Sequence, residues 1–373
     1  MLIFNHQPGR DVRNNVTGFI LQNVSPTPRR GIDMTQEQQT VDLPRSVFTG
    51  LAEARGGAVT GNVLGVINYT TECTGPRVEN GRLTLDLHMA ADAGEAFAEV
   101  WTTGREVVTG EHHGVVYAHD GEYLLVAGRI APAGRYTEDT RAAYVAALDL
   151  MDTLGYKNCF RMWNFINDIN ADNADGLEVY RDFCKGRAEA FELFHFGDSE
   201  VPSATGIGSL GGGIAFYFLA SRSAALTSVE NSKQMAAYHY PRQYGPRPPK
   251  FARATYLATT HTDRRSGQIY VAGTASIRGH ETLHAGDIEA QVKLSLDNIE
   301  HLISDENLAA YEITQGNSLH NLDNIKVYVR HRSDIPAVRR MCEERFSPNA
   351  HIQYLNVDVC RADLLVEIEG IVA

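Results

Sequence analysis

Residues 269–277 read I-Y-V-A-G-T-A-S-I, and residues 123–130 read Y-L-L-V-A-G-R-I. Both are rich in β-branched, aromatic and aliphatic side chains, and both contain V-A-G, so each is read as a strand. The two strands have like successors. A polar stretch leads into a helix, D-T-R-A-A-Y-V-A-A-L-D-L-M from Asp139 and D-I-E-A-Q-V-K-L-S-L-D-N-I from Asp287. Each helix opens on an aspartate suited to N-capping, and Leu148-Asp149 and Leu296-Asp297 fall at the same offset. In the second helix Val292, Leu296, Ile299 and Ile303 make one apolar stripe at helical spacing.

A strand comes next in each copy, N-C-F-R-M-W-N-F-I from 158 and N-I-K-V-Y-V-R from 324, and then a second helix. There V-Y-R-D-F-C-K-G-R and A-V-R-R-M-C-E-E-R align Arg181, Cys184 and Arg187 with Arg339, Cys342 and Arg345. Strand-like sequence closes each copy, at 214–220 and 364–372. The pattern predicts an α+β fold of two β-α-β-α-β units, with mixed sheets covered by helices on one side. The Pro-rich Y-P-R-Q-Y-G-P-R-P-P-K at 240–250 separates them. We therefore expect residues 1–235 to hold an N-terminal elaboration and the first unit, and residues 236–373 to hold the second. Residues 1–118 are weakly patterned, although R-L-T-L-D-L-H at 82–88 alternates like a strand.

Of the 373 residues, 43% are hydrophobic, which is globular composition. A net charge of −12 without a basic cluster argues against nucleic acid or an acidic membrane as partner. Five cysteines at irregular spacing suit reduced thiols in a cytoplasm better than a disulfide scaffold. The opening M-L-I-F-N-H-Q-P-G-R lacks the pattern of a signal peptide, and no run of apolar residues is long enough to span a membrane.

Two motif matches are declined. G-I-G-S-L-G at 206–211 fits the dinucleotide fingerprint, but strand-like sequence stands where a helix must bind the pyrophosphate, so a Gly-rich turn is expected. Its glycines could still bring backbone close to a ligand. H-E-T-L-H at 280–284 fits the zinc-protease pattern, but Gly279 and Ala285-Gly286-Asp287 leave no room for the helix that zinc binding needs. No metal and no organic cofactor is expected.

The strand at 364–372 carries two acids. Alternation puts Leu365, Glu367, Glu369 and Ile371 on one face and Leu364, Val366, Ile368 and Val372 on the other. If the second face packs on a core, both acids meet either water or a pocket.

The second unit resembles the RidA/YjgF superfamily, through G-D-I-E-A-Q-V-K-L-S-L-D-N-I, D-N-I-K-V-Y-V-R-H-R-S-D-I-P-A-V and the terminal V-E-I-E-G-I-V. Over roughly residues 120–373 the chain is similar to one branch of it, the chorismatases. F-R-M-W-N-F-I at 160–166, Y-R-D-F-C-K-G-R-A at 180–188, A-Y-H-Y-P-R-Q-Y-G-P-R at 237–247, F-A-R-A-T at 251–255 and G-T-A-S-I-R-G-H-E-T at 273–282 carry that likeness. The resemblance implies release of pyruvate from chorismate without metal or cofactor, with Glu367 as the acid. It also implies a product: a cysteine seven residues before the acid and a glycine in the G-T-A-S-I strand mark the 3-hydroxybenzoate branch, and they stand here as Cys360 and Gly273. The hydrolytic branch has alanines there and leaves a dihydroxycyclohexadiene acid; a third branch makes mixed hydroxybenzoates. The superfamily's enamine deaminases place a carboxylate-binding arginine 15 residues before the glutamate, where this chain has Ile352, with His351 adjacent.

Chorismate carries two carboxylates, which fixed arginines bind best. Arg161, Arg247 and Arg253 are the candidates, with Tyr244 packing on the ring. Protonating the enol-ether methylene needs a carboxylic acid that stays protonated near neutrality, through burial or a neighbouring carboxylate such as Glu369. Arg361-Ala362-Asp363 can turn the chain so that Cys360 faces Glu367, where the family implies a role in converting an epoxide-like ring intermediate to the phenol. Gly273 is expected to leave space beside the ring. A non-catalytic protein binding an aromatic metabolite would need the same arginines but not a protonated Glu367. RidA-like units commonly trimerise, whereas a duplicated chain can build its interface internally, so monomer and trimer both stay open.

Overall fold

The computed structural model describes residues 43–56, 61–258 and 266–372. The signal-peptide reading at residues 1–10 lies outside them. The N-terminal part contains β1 (Arg45–Thr49), α1 (Leu51–Gly56), β2 (Asn62–Thr70), β3 (Arg77–Glu79), β4 (Arg82–His88) and β5 (Phe97–Thr103). The middle part contains β6 (Val108–His112), β7 (Val115–His119), β8 (Tyr123–Ile130), α2 (Thr137–Leu154), β9 (Asn158–Asn167), α3 (Val179–Leu193), β10 (Ser203–Ser209) and β11 (Ile214–Ser221). The last part contains β12 (Leu226–Val229), β13 (Ala254–Ala258), β14 (Gly267–Ala275), the small hairpin β15 (Ile277–Arg278) and β16 (Glu281–Thr282), and α4 (Ile288–Leu302). It ends with α5 (Asp305–Leu308), β17 (Leu322–Val329), α6 (Ile335–Arg345), β18 (Ile352–Asn356) and β19 (Val366–Val372).

The two repeated units build six-stranded sheets of one topology, β10-β9-β11-β8-β7-β6 and β18-β17-β19-β14-β13-β12. In each, one strand runs parallel to the edge (β9 to β10, β17 to β18) and antiparallel to its other neighbour. The parallel pairs need a crossover, which α3 and α6 supply. Strand β12 lies ahead of the 235/236 division expected from sequence, yet it pairs in the C-terminal sheet. Within 1–118, β6 and β7 join the middle sheet, while β1 to β5 form a five-stranded sheet of their own. That sheet repeats the same core pattern, because β2 is parallel to β4 and antiparallel to β5, and β5 is antiparallel to β1. Its first helix has six residues, and β3 stands where the second helix would be.

The inner faces of the three sheets share one core, to which Ile67 and Trp101, Trp163 and Tyr217, and Tyr270 and Tyr328 contribute. Helices cover the outer faces: α2 and α3 the middle sheet, and α4 and α6 the C-terminal one. The stripe Val292, Leu296, Ile299 and Ile303 is buried there, and Asp287 caps α4 by accepting from the Ala290 amide at 3.0 Å. Asp139 does not cap α2. Asp182 of α3 takes that part across the helix pair, accepting from the amides of Tyr136 (2.6 Å) and Thr137 (3.1 Å). The expected Gly-rich turn at 206–211 is also corrected: parallel pairing with β9 draws residues up to Ser209 into β10, and only Leu210–Gly213 turn. No helix among the described residues is long and apolar enough to cross a membrane.

Candidate active site

Strand β10 docks against the C-terminal sheet through a bridge from Ile207 to Val359 and a bond from the Gly208 amide to the Asp358 carbonyl, 2.8 Å. Beside this seam lies a cavity of about 560 Å³. Strands β14 and β19 supply Gly273 and Glu367, the loop before β19 supplies Cys360 and Arg361, and α3 supplies Arg181 and Arg187. The connector between β12 and β13 closes it with Tyr240, Tyr244 and Arg253.

Glu367 is 4% exposed. Burial pushes its carboxyl up to about 8, and the charge of Glu369 adds to the rise. At neutral pH it is therefore protonated, as a proton donor must be. Cys360 Sγ stands 3.8 Å from Glu367 Oε2. Burial, with the Glu367 carboxyl beside it, pushes this thiol well up, so it is held as the neutral form. The surroundings of Gly273 differ from the sequence expectation. A Cβ built on it would lie 1.9 Å from Glu367 Oε1, so the space the glycine leaves is filled by the acid itself rather than left open beside a ring.

The two glutamates of the terminal strand part company. Every residue from Val366 to Val372 is buried, so neither face meets water. Val366, Ile368 and Val372 pack under the helices. On the other face only Glu367 reaches the cavity, while Glu369 enters a polar cluster at the centre of the three sheets. There Glu369 accepts from Arg161 Nη2 (2.7 Å) and Trp163 Nε1 (2.8 Å), bonds Thr205 Oγ1, and pairs with Lys326 Nζ at 3.1 Å. Lys326 pairs in turn with Glu99 of β5 at 2.8 Å, and Glu99 accepts from Tyr69 and Tyr217. Burial works against the Glu369 charge, but Lys326 and Arg161 outweigh it and hold the carboxyl below its usual range. Two acids and two bases balance in this cluster. Its link to the site is Thr205, whose Oγ1 accepts from the Gly273 amide at 3.0 Å.

The arginines divide accordingly. Arg161 does not line the cavity, because its guanidinium is committed to Glu369, Thr205 and the Met162 carbonyl. Arg247 does not line it either, since it pairs with Glu192 on the surface at 3.0 Å. Arg253 does; it is 2% exposed, with Nη2 donating to Tyr240 Oη at 2.6 Å. Tyr244 lines the cavity as expected, its hydroxyl 3.1 Å from His280 Nδ1. The structure adds Arg187, whose charge faces the rings of Phe183 and Phe191, and Arg361, stacked 4.0 Å over Tyr244. Arg187 lies in a stretch that carries the family likeness, and Arg361 directly succeeds Cys360, so both were within reach of the sequence. In H-E-T-L-H, Glu281–Thr282 form β16, and His284 has a φ of 60°, so the two histidines do not share a helix.

Comparison with known proteins finds close relatives of one kind. Residues 99–220 match the family model described as chorismatase FkbO/Hyg5-like, N-terminal. The chain is 58% identical to a 3-hydroxybenzoate synthase of Streptomyces hygroscopicus, across 83% of this chain and 92% of that protein. It is 46% identical to a chorismatase of Streptomyces rapamycinicus over the same shares. A crystal structure of a chorismatase superposes with a TM-score of 0.85 at 41% identity, covering 89% of this chain and 99% of that one.

Proposed function

The chain belongs to the chorismatase family, and from that premise we propose that it cleaves chorismate to 3-hydroxybenzoate and pyruvate, with Glu367 as proton donor and Cys360 acting on the ring. The reading is carried by one observation, a carboxyl kept protonated by burial in a cavity walled by arginines, with a neutral thiol 3.8 Å away. Arg253 holds one substrate carboxylate, and Arg187 or Arg361 is the cation for the other.

Glu367 gives its proton to the enol-ether methylene, which becomes the methyl of pyruvate. The neighbouring ring hydroxyl displaces the pyruvate oxygen as the carbon–oxygen bond to the ring breaks, and gives its proton to the Glu367 carboxylate, which restores the acid and leaves an epoxide-like ring. Opening that ring and losing the hydrogen on the carbon that keeps the oxygen gives the phenol, and Cys360 carries the proton between carbon and oxygen. Water is neither consumed nor formed, so the two products together contain the atoms of chorismate. The neutral thiol suits this exchange better than a thiolate, which would add to the ring as a nucleophile. Gly273 leaves the room that the Glu367 carboxyl fills; an alanine there would shift the end of that flexible side chain without removing the acid from the cavity. All five cysteines are free, which supports a reducing, cytoplasmic setting.

The test is incubation with chorismate, with chromatography of the aromatic products and a parallel assay for pyruvate. Equal amounts of 3-hydroxybenzoate and pyruvate are expected. A dihydroxy diene acid as main product would refute the branch, and no pyruvate at all would refute the reaction.

A further inference from the structure

Behind the cavity, three shielded polar atoms without side-chain hydrogen-bond partners face one another. Arg253 uses Nη2 for the carbonyl of Met235 (2.9 Å) and the hydroxyl of Tyr240 (2.6 Å), and its Nε is left without an acceptor. Glu230, just after β12, places Oε2 4.0 Å from that Nε, and no side chain donates to either of its carboxylate oxygens, which have only the Arg253 backbone amide beside them. The backbone of Glu230, by contrast, is held firmly. Its amide donates to Tyr311 Oη at 2.9 Å, and its carbonyl accepts from Asn307 Nδ2 at 2.9 Å. Buried polar atoms are nearly always satisfied, so orphans on both sides of one gap require an account.

We propose that Glu230 is a positioning residue that aims Arg253 at a substrate carboxylate, and that its carboxyl takes up a proton from solvent when that carboxylate binds. The inference rests on the reading above, in which Arg253 receives a carboxylate of chorismate. Among the described residues the titratable groups facing Glu230 are Arg253, Tyr238 and Tyr311, and of these Arg253 is the cation. Burial pushes the Glu230 carboxyl up to about 7, against the pull of Arg253, so both its forms are populated near neutrality. A substrate carboxylate on the cavity side of Arg253 offsets the charge that favours ionised Glu230, and the protonated form gains. Linkage then runs both ways: affinity for the substrate is full below pH 7 and falls above it, at most tenfold per pH unit for one proton.

The experiment is calorimetric titration of chorismate into the full chain carrying Glu367→Gln, at pH 7 in two buffers of different ionisation enthalpy. About half a proton taken up per site is expected, reduced to zero when Glu230→Gln is added while chorismate still binds. Absent uptake in the first protein, or undiminished uptake in the second, overturns the proposal. Pyruvate formed by the Glu367→Gln protein at an undiminished rate would instead sink the acid assignment, and KM then decides with Glu367 intact. Between pH 7 and 8 the chain without a Glu230 change should show about a fivefold rise in KM, which Glu230→Gln flattens. The same rise in both proteins refutes the linkage.

Discussion

The cavity that holds Glu367 has a counterpart of about 530 Å³ between the C-terminal and N-terminal sheets. In the first, α3 and β10 meet β14 and β19. In the second, α6 and β18 meet β1 and β5, so Arg339 and Tyr354 face Phe48 and Phe97. The strands correspond residue by residue. Glu99 of β5 and Glu369 of β19 both pair with Lys326, and two positions earlier stand Phe97 and Glu367. On β11 the same step leads from Tyr217 back to Ala215. Phe97 stacks on Tyr69 at 4.5 Å, so the second groove spends this position on packing. The comparison separates two duties that adjoin on one strand: the residue reaching the centre holds three sheets together, and the residue two before it is free to become an acid.

The contrast is sharpest in Glu367→Gln, which should lower pyruvate release by 10²–10⁴-fold while thermal unfolding shows an intact fold. Pyruvate released at an unchanged rate would erase the distinction between the grooves. Phe97→Ala should do the reverse, losing about 3–5 kcal/mol of stability in a denaturant titration with kcat nearly unchanged. Lys326→Met strikes what both grooves share. It leaves Glu99 and Glu369 buried without their common cation, and a loss of about 3–5 kcal/mol is expected by the same titration.

A further expectation concerns pH. In the proposed reaction the acid works protonated, so in a chain carrying Glu230→Gln, where the second titration is absent, kcat/KM should hold below about 8 and fall above it, approaching tenfold per pH unit. Stability follows the same shift. Between the ordinary glutamate range and about 8 the native chain binds a proton that the unfolded chain has lost, so the contribution of Glu367 to stability declines as pH rises through that window. Melting temperature against pH should therefore decline less steeply in Glu367→Gln. The smallest effect is on products. Gly273→Ala together with Cys360→Ala should raise the proportion of dihydroxy diene acid while pyruvate continues to form, as chromatography would show.

How far the sequence carries the reading depends on the reach of each interaction. The repeat is legible because β8 and β14, and the stripe of α4, are written in local periodicity. The N-terminal sheet is not, because α1 spans six residues and no second helix marks the crossover to β4. Within the site, Glu367, Cys360, Arg253 and Tyr244 carry signals in nearby sequence. Arg161 misleads, since the carboxylate that occupies it lies 208 residues away. What fills the space at Gly273 is hidden for a like reason: the nearest atom, Glu367 Oε1, belongs to the neighbouring strand. Lys326 did leave a trace, as a lone cation on the inward side of an apolar strand.

The central cluster also has a consequence for the order of folding. Lys326 and Glu99 are 227 residues apart in sequence. Until β17 and β19 arrive, Glu99 and Arg161 would be charges enclosed without counterions, so the first two sheets cannot seal their inner faces ahead of the third. Closure depends on long-range contacts, which makes it slow relative to helical proteins of similar size. Of the two strands that neutralise the centre, β19 also bears Glu367, so closure of the interior brings the acid into place with it.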